Sequence, residues 1–445
     1  MIRTTIHLSD ILNSQRIDVA YYKDNTGTND FVPLSRYVDI KGGKRIPKGK
    51  SFSFENTDYL YLRLSDIADF DHIDYSALKN ISEELFNTLK RYEICNNQIA
   101  FSIAGTIGRV FVIKNIPEGK HVILTENCAK LLPKSDDVLP EYISIILNSD
   151  FVQKQIEQNR IQTTIPKIGL DRIAKLKVPK LISVNEQLEI VRLYQEALNT
   201  RHQKENEATQ LLKGIDDYLL KMLHMERKVG KNNECPLAQK LSSIIGGRFD
   251  PQQFHSERMR MIEQIQKGNW CRLKDVVTEV KTIMSSISKG DVYIGLENIE
   301  GETGDYIPSN EKLSISSAAQ FKGGDILFPK LRPYLNKAYR THFSGCCSTE
   351  FHVFEAHDIH PDFLIVVLRS CMILDQTKHL MTGNTLPRLQ TADIDNLIIP
   401  YPDMEIQNEI VDYVSKVKTK AKSLQVEGNS ILEEAKKEIE KLIIE

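Results

Sequence analysis

The segment Gln187-Leu188-Glu189-Ile190-Val191 returns later in the chain as Gln407-Asn408-Glu409-Ile410-Val411. In both places a proline-free stretch rich in Glu, Lys, Leu and Ile follows, and this composition favours a long helix. The same short motif opening the same kind of stretch in two halves of the chain indicates a duplication.

An ordered series of further matches extends from these segments towards the beginning of each half. The spacing between partners drifts only from about 233 to about 220 residues, so the two copies differ by small changes in their loops. This period is too long for a solenoid repeat, so we interpret it as two equivalent domains. We expect these domains to contact two similar sites on one ligand, or two copies of one partner. The matched pairs are Leu8-Ser9 and Leu241-Ser242, Arg16-Ile17-Asp18 and Arg248-Phe249-Asp250, Tyr61 and Tyr293, Leu64 and Leu296, Ile67 and Ile299, Gln98-Ile99 and Asp325-Ile326, Thr125-Glu126 and Thr349-Glu350, Ile165-Pro166-Lys167-Ile168 and Leu386-Pro387-Arg388-Leu389, and Pro179 and Pro400.

Each copy begins with a mixed region and ends with a helix. Short runs such as Arg109–Ile113 and Asn396–Pro400 are typical of strands, whereas Glu141–Gln158 and Pro361–Leu374 favour helices, so we predict an α+β fold with two pseudo-repeated α/β domains. The expected boundaries are 1–183 for the first domain, 184–229 for the first long helix, 230–240 for a linker, 241–402 for the second domain and 403–445 for the second long helix.

Apolar residues recur at spacings of three and four along both predicted long helices, as in a coiled coil. Ser183 with Glu186 forms a capping box for the first helix, and Asp403 can cap the second. The polar run Asn199–Gln210 interrupts the apolar seam of the first helix. We expect the two helices to form an antiparallel pair of roughly 60 Å that joins the two domains. The alternative is that each helix packs onto its own globular domain.

Composition limits the cellular setting and the class of protein. The 445 residues carry a net charge of -2, which excludes a protein that coats nucleic acid through bulk positive charge but permits local basic patches. The seven cysteines are odd in number and form no CxxC pair, so we expect a reducing, cytoplasmic setting, with Cys346 and Cys347 buried in a strand. Neither a signal peptide nor an apolar run long enough to cross a membrane is expected.

A search for catalytic motifs finds none. Gly43–Ser51 resembles a phosphate-binding loop, but five residues separate its glycines where that motif has four, and Pro47 interrupts the run of backbone N–H groups. The eleven histidines show no metal-ligand spacing. The chain is therefore expected to be no enzyme, to have no catalytic residues and to bind no metal.

Basic and polar residues in loops favour contact with DNA in three regions of the sequence. The first is a Gly/Pro loop whose lysines and arginine lack acidic neighbours, the second is a loop stiffened by two prolines, and the third is the polar run before each Ile-Pro or Leu-Pro pair. Arginine and asparagine can contact base edges and lysine can contact phosphates, although a charged run can also be plain solvated surface. The candidate DNA-binding residues are Lys41, Lys44, Arg45, Lys48, Lys50, Arg63, Ser102, Thr106, Arg109, Thr163, Thr164, Lys167, Lys330, Arg332, Asn336, Lys337, Asn384, Thr385 and Arg388.

Over essentially its whole length, the chain resembles the specificity subunit of type I restriction-modification systems. The resemblance rests on the order of four motifs. They are Gly42-Gly43-Lys44-Arg45-Ile46-Pro47-Lys48-Gly49, Gly105-Thr106-Ile107-Gly108-Arg109-Val110, the run Leu331–Lys337, and the proline-to-glutamine helix start near Pro402–Gln407.

The resemblance implies two target-recognition domains that each read half of a bipartite double-stranded DNA sequence. It implies that the helices form an antiparallel coiled coil that sets the gap between the half-sites and docks two modification (methyltransferase) subunits, with a restriction subunit in the full complex. This chain would then bind no cofactor, and S-adenosylmethionine, ATP and Mg would belong to the partner subunits. The two domains differ at Ser102-Ile103-Ala104-Gly105 and Pro329-Lys330-Leu331-Arg332, which predicts different half-sites.

A rival hypothesis is a coiled-coil assembly or regulatory protein, such as a silent specificity cassette, that keeps the fold without reading DNA.

Overall fold

A computed structural model of the protein describes residues 31–69, 72–160, 166–226, 250–284, 292–308, 317–383 and 385–444. The chain divides into two compact units. Unit 1 comprises Met1–His202 with Glu427–Glu445, and unit 2 comprises Gln203–Val426. The predicted linker 230–240 and the sequence matches before residue 31 and at residues 241–249 lie outside the described residues.

Unit 1 combines two four-stranded sheets with short helices. One sheet has the order β2-β11-β8-β9 and the other β6-β3-β10-β7, and β1 pairs with β12 beside the start of the long helix. The strands are β1 (Phe31–Pro33), β2 (Val38–Gly42), β3 (Tyr59–Leu62), β4 (Ile67–Asp69), β5 (His72–Ile73), β6 (Lys79–Asn80), β7 (Glu93–Ile94), β8 (Ile99–Ser102), β9 (Val110–Val112), β10 (His121–Leu124), β11 (Cys128–Pro133) and β12 (Lys177–Pro179). The helices are α1 (Glu83–Leu89), α2 (Pro140–Leu147), α3 (Asp150–Asn159), α4 (Leu170–Ala174) and the long α5 (Val184–Met222), which continues into unit 2.

Unit 2 repeats the first of these sheets strand for strand, whereas its second four-stranded sheet has a different edge strand. Its sheets have the orders β14-β21-β18-β19 and β15-β17-β20-β16, and β13 pairs with β22. The strands are β13 (Trp270–Arg272), β14 (Val277–Glu279), β15 (Ile283–Met284), β16 (Tyr293–Ile294), β17 (Ala318–Phe321), β18 (Ile326–Pro329), β19 (Tyr339–Arg340), β20 (Gly345–Cys347), β21 (Phe351–Ala356) and β22 (Ile398–Pro400). The helices are α6 (Ser256–Ile265), α7 (Pro361–Arg369), α8 (Cys371–Thr377), α9 (Thr391–Asp395) and the long α10 (Met404–Ile444), which ends in unit 1.

Strand register confirms the duplication. Tyr61 of β3 pairs in parallel with Ile123 of β10, and its sequence partner Tyr293 of β16 pairs in parallel with Cys346 of β20. Cys346 and its neighbour Cys347 are both buried, as expected, and burial raises the pKa of the Cys347 thiol to about 12. The two halves therefore share strand pairing as well as sequence.

Each of the two predicted mid-domain helices is broken in two, and both breaks fall at a serine. Ser149 follows α2 and caps α3, and Ser370 separates α7 from α8. The hydroxyl of each serine donates to a carbonyl of the preceding helix, Ile146 or Val367, at 2.7 Å. Each predicted helical stretch therefore consists of two helices, because the serine side chain ends the first helix with a bond that apolar periodicity does not reveal.

A buried glutamine docks each long helix onto its domain. The side chain of Gln187 accepts from the backbone N–H of Leu139 at 3.1 Å and donates to Ile182 O at 2.9 Å. Gln407 does the same with His360 N at 2.9 Å and Pro402 O at 2.8 Å. The repeated glutamine of the opening motif thus satisfies backbone groups at the start of α2 and of α7.

The long helices pair antiparallel. Contacts in unit 1 join Leu198 to Leu432, and contacts in unit 2 join Ala208 to Ala421, so residue numbers rise along one helix as they fall along the other. In unit 2 the rings of Tyr218 and Tyr413 stack at 3.5 Å. The helix α5 is continuous through the polar run 199–210, where Ala208 is fully buried and maintains the seam.

Each helix also contributes to a domain core at both ends. Ile190 of α5 and Ile439 of α10 both belong to the main core of unit 1, and Glu440 of α10 accepts from Phe151 N at 2.8 Å. Leu219 of α5 and Ile410 of α10 belong to the main core of unit 2. The two alternatives for the helices therefore combine, since each helix pairs with the other and packs on both units.

Within the described residues, none of the helices has the length and apolar character needed to cross a membrane.

Candidate nucleic-acid interface

Four loops of unit 1 are joined by backbone hydrogen bonds into one surface, which we call the polar edge of unit 1 and define as residues 43–50, 103–108, 125–127 and 166–168. Lys44 N donates to Leu124 O at 3.1 Å, at the end of β10. Ile103 N donates to Asn127 O at 2.8 Å, and Ile168 N donates to Ile103 O at 3.0 Å. Loops that are far apart in sequence are thus held at fixed positions by the ends of β8, β10 and β11.

Gly43 allows the basic loop to approach this edge. A Cβ atom at Gly43 would lie 2.0 Å from the carbonyl oxygen of Thr125, so no other residue fits without moving the backbone. The basic side chains that follow, Lys44, Arg45 and Lys48, are exposed. An open groove of about 620 Å³, lined in part by Arg45, Lys48 and Arg63, runs along this loop.

Some of the basic residues of unit 1 that are predicted to contact DNA form ion pairs with acidic residues. Arg45 Nε donates to Glu126 at 2.5 Å, Lys50 Nζ lies 2.9 Å from Glu84, and Arg63 binds Asp66 at 2.6 Å. These pairs lie at a partly solvated surface and are weak, so a phosphate can compete for the cations.

Glu126 is the acidic centre of the edge. Partial burial raises its pKa, but hydrogen bonds from Arg45 and from the Thr125 hydroxyl outweigh that effect and lower it. The Tyr61 hydroxyl lies 3.2 Å from Glu126 and 2.8 Å from Lys44 O, and burial raises the pKa of Tyr61 to about 12. Glu126 is therefore ionised at neutral pH and orients Arg45.

The remaining candidates of unit 1 separate into supporting and exposed residues. Ser102 is fully buried, and its hydroxyl donates to Thr106 O at 2.6 Å and accepts from Arg109 N at 2.8 Å, so it holds the turn. Arg109 is half-buried and donates to Ile67 O at 3.4 Å. Thr106, Lys167 and Lys41 are exposed. Thr163 and Thr164 lie outside the described residues.

Unit 2 builds the same frame, here called the polar edge of unit 2 and defined as residues 330–337, 348–350 and 382–388 with residue 384 not described. Lys330 N donates to Glu350 O at 2.8 Å, and Leu389 N donates to Lys330 O at 3.0 Å. These bonds correspond to those of Ile103 in unit 1. The backbone of the edge is thus repeated although its side chains differ.

Gly105 and Arg332 occupy the same position in the two edges. Gly105 N donates to Pro166 O at 3.2 Å, and Arg332 N donates to Pro387 O at 2.8 Å. Both have left-handed backbone conformations, with φ of 78° for Gly105 and 49° for Arg332. Glycine adopts this conformation freely, whereas arginine does so at a cost, so unit 2 holds an exposed arginine where unit 1 has no side chain.

The structure shifts the sequence match between Thr125-Glu126 and Thr349-Glu350 by one residue. Thr125 N donates to Leu62 O at 3.1 Å, and the equivalent bond of unit 2, from Ser348 N to Ile294 O at 2.9 Å, belongs to Ser348 and not to Thr349. Glu350 therefore stands at the position of Asn127, not at that of Glu126.

This shift explains why the two glutamates bind arginines from different loops. Arg388 binds both carboxylate oxygens of Glu350, at 2.7 and 2.9 Å, whereas Lys167 is the sequence partner of Arg388 in unit 1. The hydrogen bonds and charge of Arg388 lower the pKa of Glu350.

Two candidates of unit 2 point inward. Asn336 donates to Arg369 O at 2.8 Å, and Lys337 donates to Leu296 O at 2.7 Å. Lys330 is half-buried and donates to Thr349 O at 3.0 Å. Arg332 and Thr385 are exposed, with Arg332 3.3 Å from Thr385 O, and Asn384 lies outside the described residues. Arg332, Thr385 and Arg388 therefore form the exposed part of the edge.

Two exposed aromatic residues stand near the basic loops and are absent from the sequence-based candidates. Phe54 follows the basic loop of unit 1 and is fully exposed, and Tyr334 lies in the turn after Arg332 with 47% of its surface exposed. An aromatic residue close to basic residues on a Gly/Pro loop is the signal that could have identified them, since aromatic rings stack on bases and wedge between them.

Two α/β units that share the strand order of one four-stranded sheet, each carrying a loop-built polar edge and joined by paired long helices, define a duplicated protein with two similar domains. The family model for the type I restriction modification DNA specificity domain matches residues 28–210 and 264–433. The chain belongs to this family.

Two curated relatives from Escherichia coli resemble parts of the chain. The EcoBI type I restriction enzyme specificity subunit is 30% identical over 131 residues, which is 29% of this chain and 27% of that protein. The EcoDI specificity subunit is 24% identical over 168 residues, or 37% and 38% of the two chains. The matches thus span about a quarter to two fifths of the length of these relatives.

Two solved structures are similar over most of the chain. A type I restriction-modification S subunit from M. genitalium has 15% identity and a TM-score of 0.39, covering 95% of this chain and 98% of that one. A chain from a study of complex assembly and conformational transition of the type I R-M system has 14% identity and a TM-score of 0.44, covering 94% and 97%.

Proposed function

We propose that this protein is the non-catalytic DNA-specificity subunit of a type I restriction-modification complex and that each polar edge reads one half of a bipartite double-stranded DNA target. The single observation that carries the proposal is the repeated edge. The same backbone bonds hold both edges, while position 105 is glycine and its equivalent, position 332, is arginine. A fixed frame with different side chains suits two different half-sites.

Contact types follow from the exposed side chains. Lys44 and Lys48 are suited to phosphates, since a lysine acts as a point charge without directional preference. Arg332 is suited to a base edge, because its guanidinium can make two parallel bonds to guanine and its backbone is anchored to Pro387. Arg45 and Arg388 are orientated by glutamates and can supply either kind of contact.

The helices are proposed to dock two modification subunits. In unit 1, Leu188 of α5 and Leu442 of α10 are 52% and 55% exposed, and Ile444 near the end of α10 is 43% exposed. Exposed leucines on a helix surface suit a protein partner. Methyl transfer with S-adenosylmethionine, and cleavage with ATP and Mg in a restriction subunit, are assigned to the partner subunits by the family resemblance.

The test is selection of DNA from a random duplex library by this chain assembled with its modification subunits. The wild-type complex is expected to enrich a bipartite sequence. K44E with R45E should alter one half of the selected sequence, and K330E with R332E should alter the other half. Lys154 and Lys267 are exposed and lie outside both edges, so K154E and K267E are matched controls that should leave the sequence unchanged.

Salt dependence separates phosphate contacts from base contacts. Each lost phosphate contact should reduce the slope of log affinity against log salt by about 0.9, because fewer counterions are released. If the library yields no bipartite sequence and charge reversal at Lys44, Arg45 and Lys330 leaves DNA affinity unchanged, the rival assembly protein is correct.

A further inference from the structure

Two histidines and a glutamate that are scattered in the sequence meet in unit 2. His255 precedes α6, Glu257 lies in the first turn of that helix, and His379 follows α8. One ligand atom from each of the three lies within 4.8 Å of the other two. We propose that His255, Glu257 and His379 bind one Zn²⁺ ion.

The separation of two of the three ligands suits zinc. His379 Nε2 lies 3.3 Å from Glu257 Oε2. Ligands at about 2.0–2.2 Å from a tetrahedral zinc ion lie about 3.4 Å from one another, so this pair already has the required separation. The His255 ring stacks almost parallel on the His379 ring, with 3.6 Å between the ring centroids, so His255 must rotate out of this stack before its nitrogen lone pair can point at the same ion.

The surrounding structure holds the ligands in place. Arg258 Nε donates to Gln376 O at 3.2 Å, which ties α6 to the end of α8. The fully buried Gln376 in turn makes two hydrogen bonds with the backbone of Ile398 in β22, both at 2.9 Å. A scaffold of this kind lowers the cost of assembling a metal site because it holds together the segments that carry the ligands.

Neighbouring charges leave one carboxylate oxygen for the ion. Lys378 Nζ binds Glu257 Oε1 at 2.6 Å, which turns Oε2 towards His379. Asp375 lies 2.9 Å from the same ammonium and offsets its charge.

His255 loses only one weak hydrogen bond when its ring rotates towards the ion. Its Nδ1 accepts from Glu257 N at 3.4 Å, which is long for a hydrogen bond. Three protein ligands leave a fourth position for water, and two imidazoles with one carboxylate are a set that zinc accepts. The ion would join the start of α6 to the segment after α8 and so stabilise unit 2.

The experiment is a metal titration of the full-length chain, with Co²⁺ followed by visible absorption and Zn²⁺ by competition with a chromophoric chelator. We expect one ion per chain and a Co²⁺ spectrum typical of tetrahedral coordination. Affinity for both ions should fall at least about tenfold in H379Q and in E257Q, since each variant removes a ligand. The exposed histidines His342 and His357 supply matched controls, so H342Q and H357Q should bind like the wild type.

Thermal unfolding gives a second readout. Zn²⁺ should raise the Tm of the wild type and of both controls, because an ion that binds only the folded state stabilises it, and should not raise the Tm of H379Q or E257Q. Equal zinc affinity in the wild type and in either folded ligand variant overturns the proposal, as does an unchanged wild-type Tm. Zinc binding at this site does not depend on DNA recognition, and both measurements are made without DNA.

Discussion

Arg332 shows how one residue can distinguish two otherwise equivalent sites. Its φ of 49° lies in the left-handed region, where its counterpart Gly105 has a φ of 78°. A side chain held in a conformation that costs energy marks a place where the surroundings impose it, and such places concentrate at functional sites. The structure thus selects Arg332 from the many basic residues as the strongest candidate for reading a base.

Replacing Arg332 by glycine should separate stability from recognition. R332G relieves backbone strain in the folded state but raises the conformational entropy of the unfolded chain. Because these effects oppose each other, the free energy of unfolding should change by less than about 1 kcal/mol. Half of the selected DNA sequence should nevertheless lose its base preference. Urea unfolding and library selection measure the two effects.

Two further variants make that test specific. R332K keeps the charge and should recover affinity without base preference, because lysine lacks the planar fork of arginine. G105A adds a methyl group with no neighbour within 4 Å, so its cost of about 1 kcal/mol reports backbone strain alone. A wild-type DNA preference in R332G would show that Arg332 does not read a base.

The pair of Glu350 and Arg388 should make a small pH-dependent contribution to stability. Arg388 lowers the pKa of Glu350 from its ordinary value of 4.5, so the contribution is complete above that value and is lost as the pH falls through the lower, folded pKa. At pH 7, E350Q should therefore be less stable than the wild type by less than about 1 kcal/mol, because the pair is partly exposed. The difference should shrink in acid, as measured by urea unfolding at a series of pH values. A difference that grows in acid contradicts the assignment.

At the level of the helices, the paired glutamines explain why the opening motif is repeated. Gln187 and Gln407 are each 1% exposed, and each binds the first turn of a domain helix and the backbone before its own helix. A long polar helix has little packing of its own, so these buried bonds fix its direction relative to the domain it follows.

Removing either glutamine side chain should weaken its own unit. Q407A leaves His360 N–H and Pro402 O without their partner and should lower the free energy of unfolding by about 1–3 kcal/mol, and Q187A should do the same in unit 1. The exposed neighbours provide controls, since N408A and N185A remove polar side chains that are not buried. Equal stability of Q407A and N408A in chemical denaturation would contradict a docking role.

For the whole molecule, the continuous helices lead to a prediction about DNA spacing. Both α5 and α10 contain residues of unit 1 and unit 2. Deleting seven residues from the paired segment of α5 and seven from that of α10 preserves the apolar seam and removes about 10 Å of helix. We therefore expect the gap between the two half-sites to shorten by about three base pairs.

Library selection with the shortened chain and its modification subunits measures the gap. A chain lengthened by seven residues in each helix is the matched control and should increase the gap by a similar amount. An unchanged gap in both variants would show that the helices do not set the spacing.

Much of the architecture follows from local sequence. The duplication, the strand-rich domains and the two long helices are visible because apolar periodicity and Gly/Pro punctuation are local properties. Two kinds of feature escaped prediction. The mid-domain helices break at Ser149 and Ser370, and the Thr-Glu match is displaced by one residue, because hydrogen bonds rather than residue similarity set a helix end and a strand register.

The candidate interface shows the same division. Sequence identified the basic loops, but it could not tell that Asn336 and Lys337 bind backbone carbonyls inside unit 2 while Arg332 remains exposed. The direction of a side chain depends on backbone conformation and on neighbours that are distant along the chain.

Local sequence was enough to establish that this protein is built twice from one plan and ends each copy in a long helix, since both conclusions need only patterns along the chain. The folded structure was needed to show that Ile439 of the second helix completes the core of unit 1 and that His255, Glu257 and His379 meet. Contacts between residues so far apart depend on how helices and strands pack, and no pattern within a single segment carries that information.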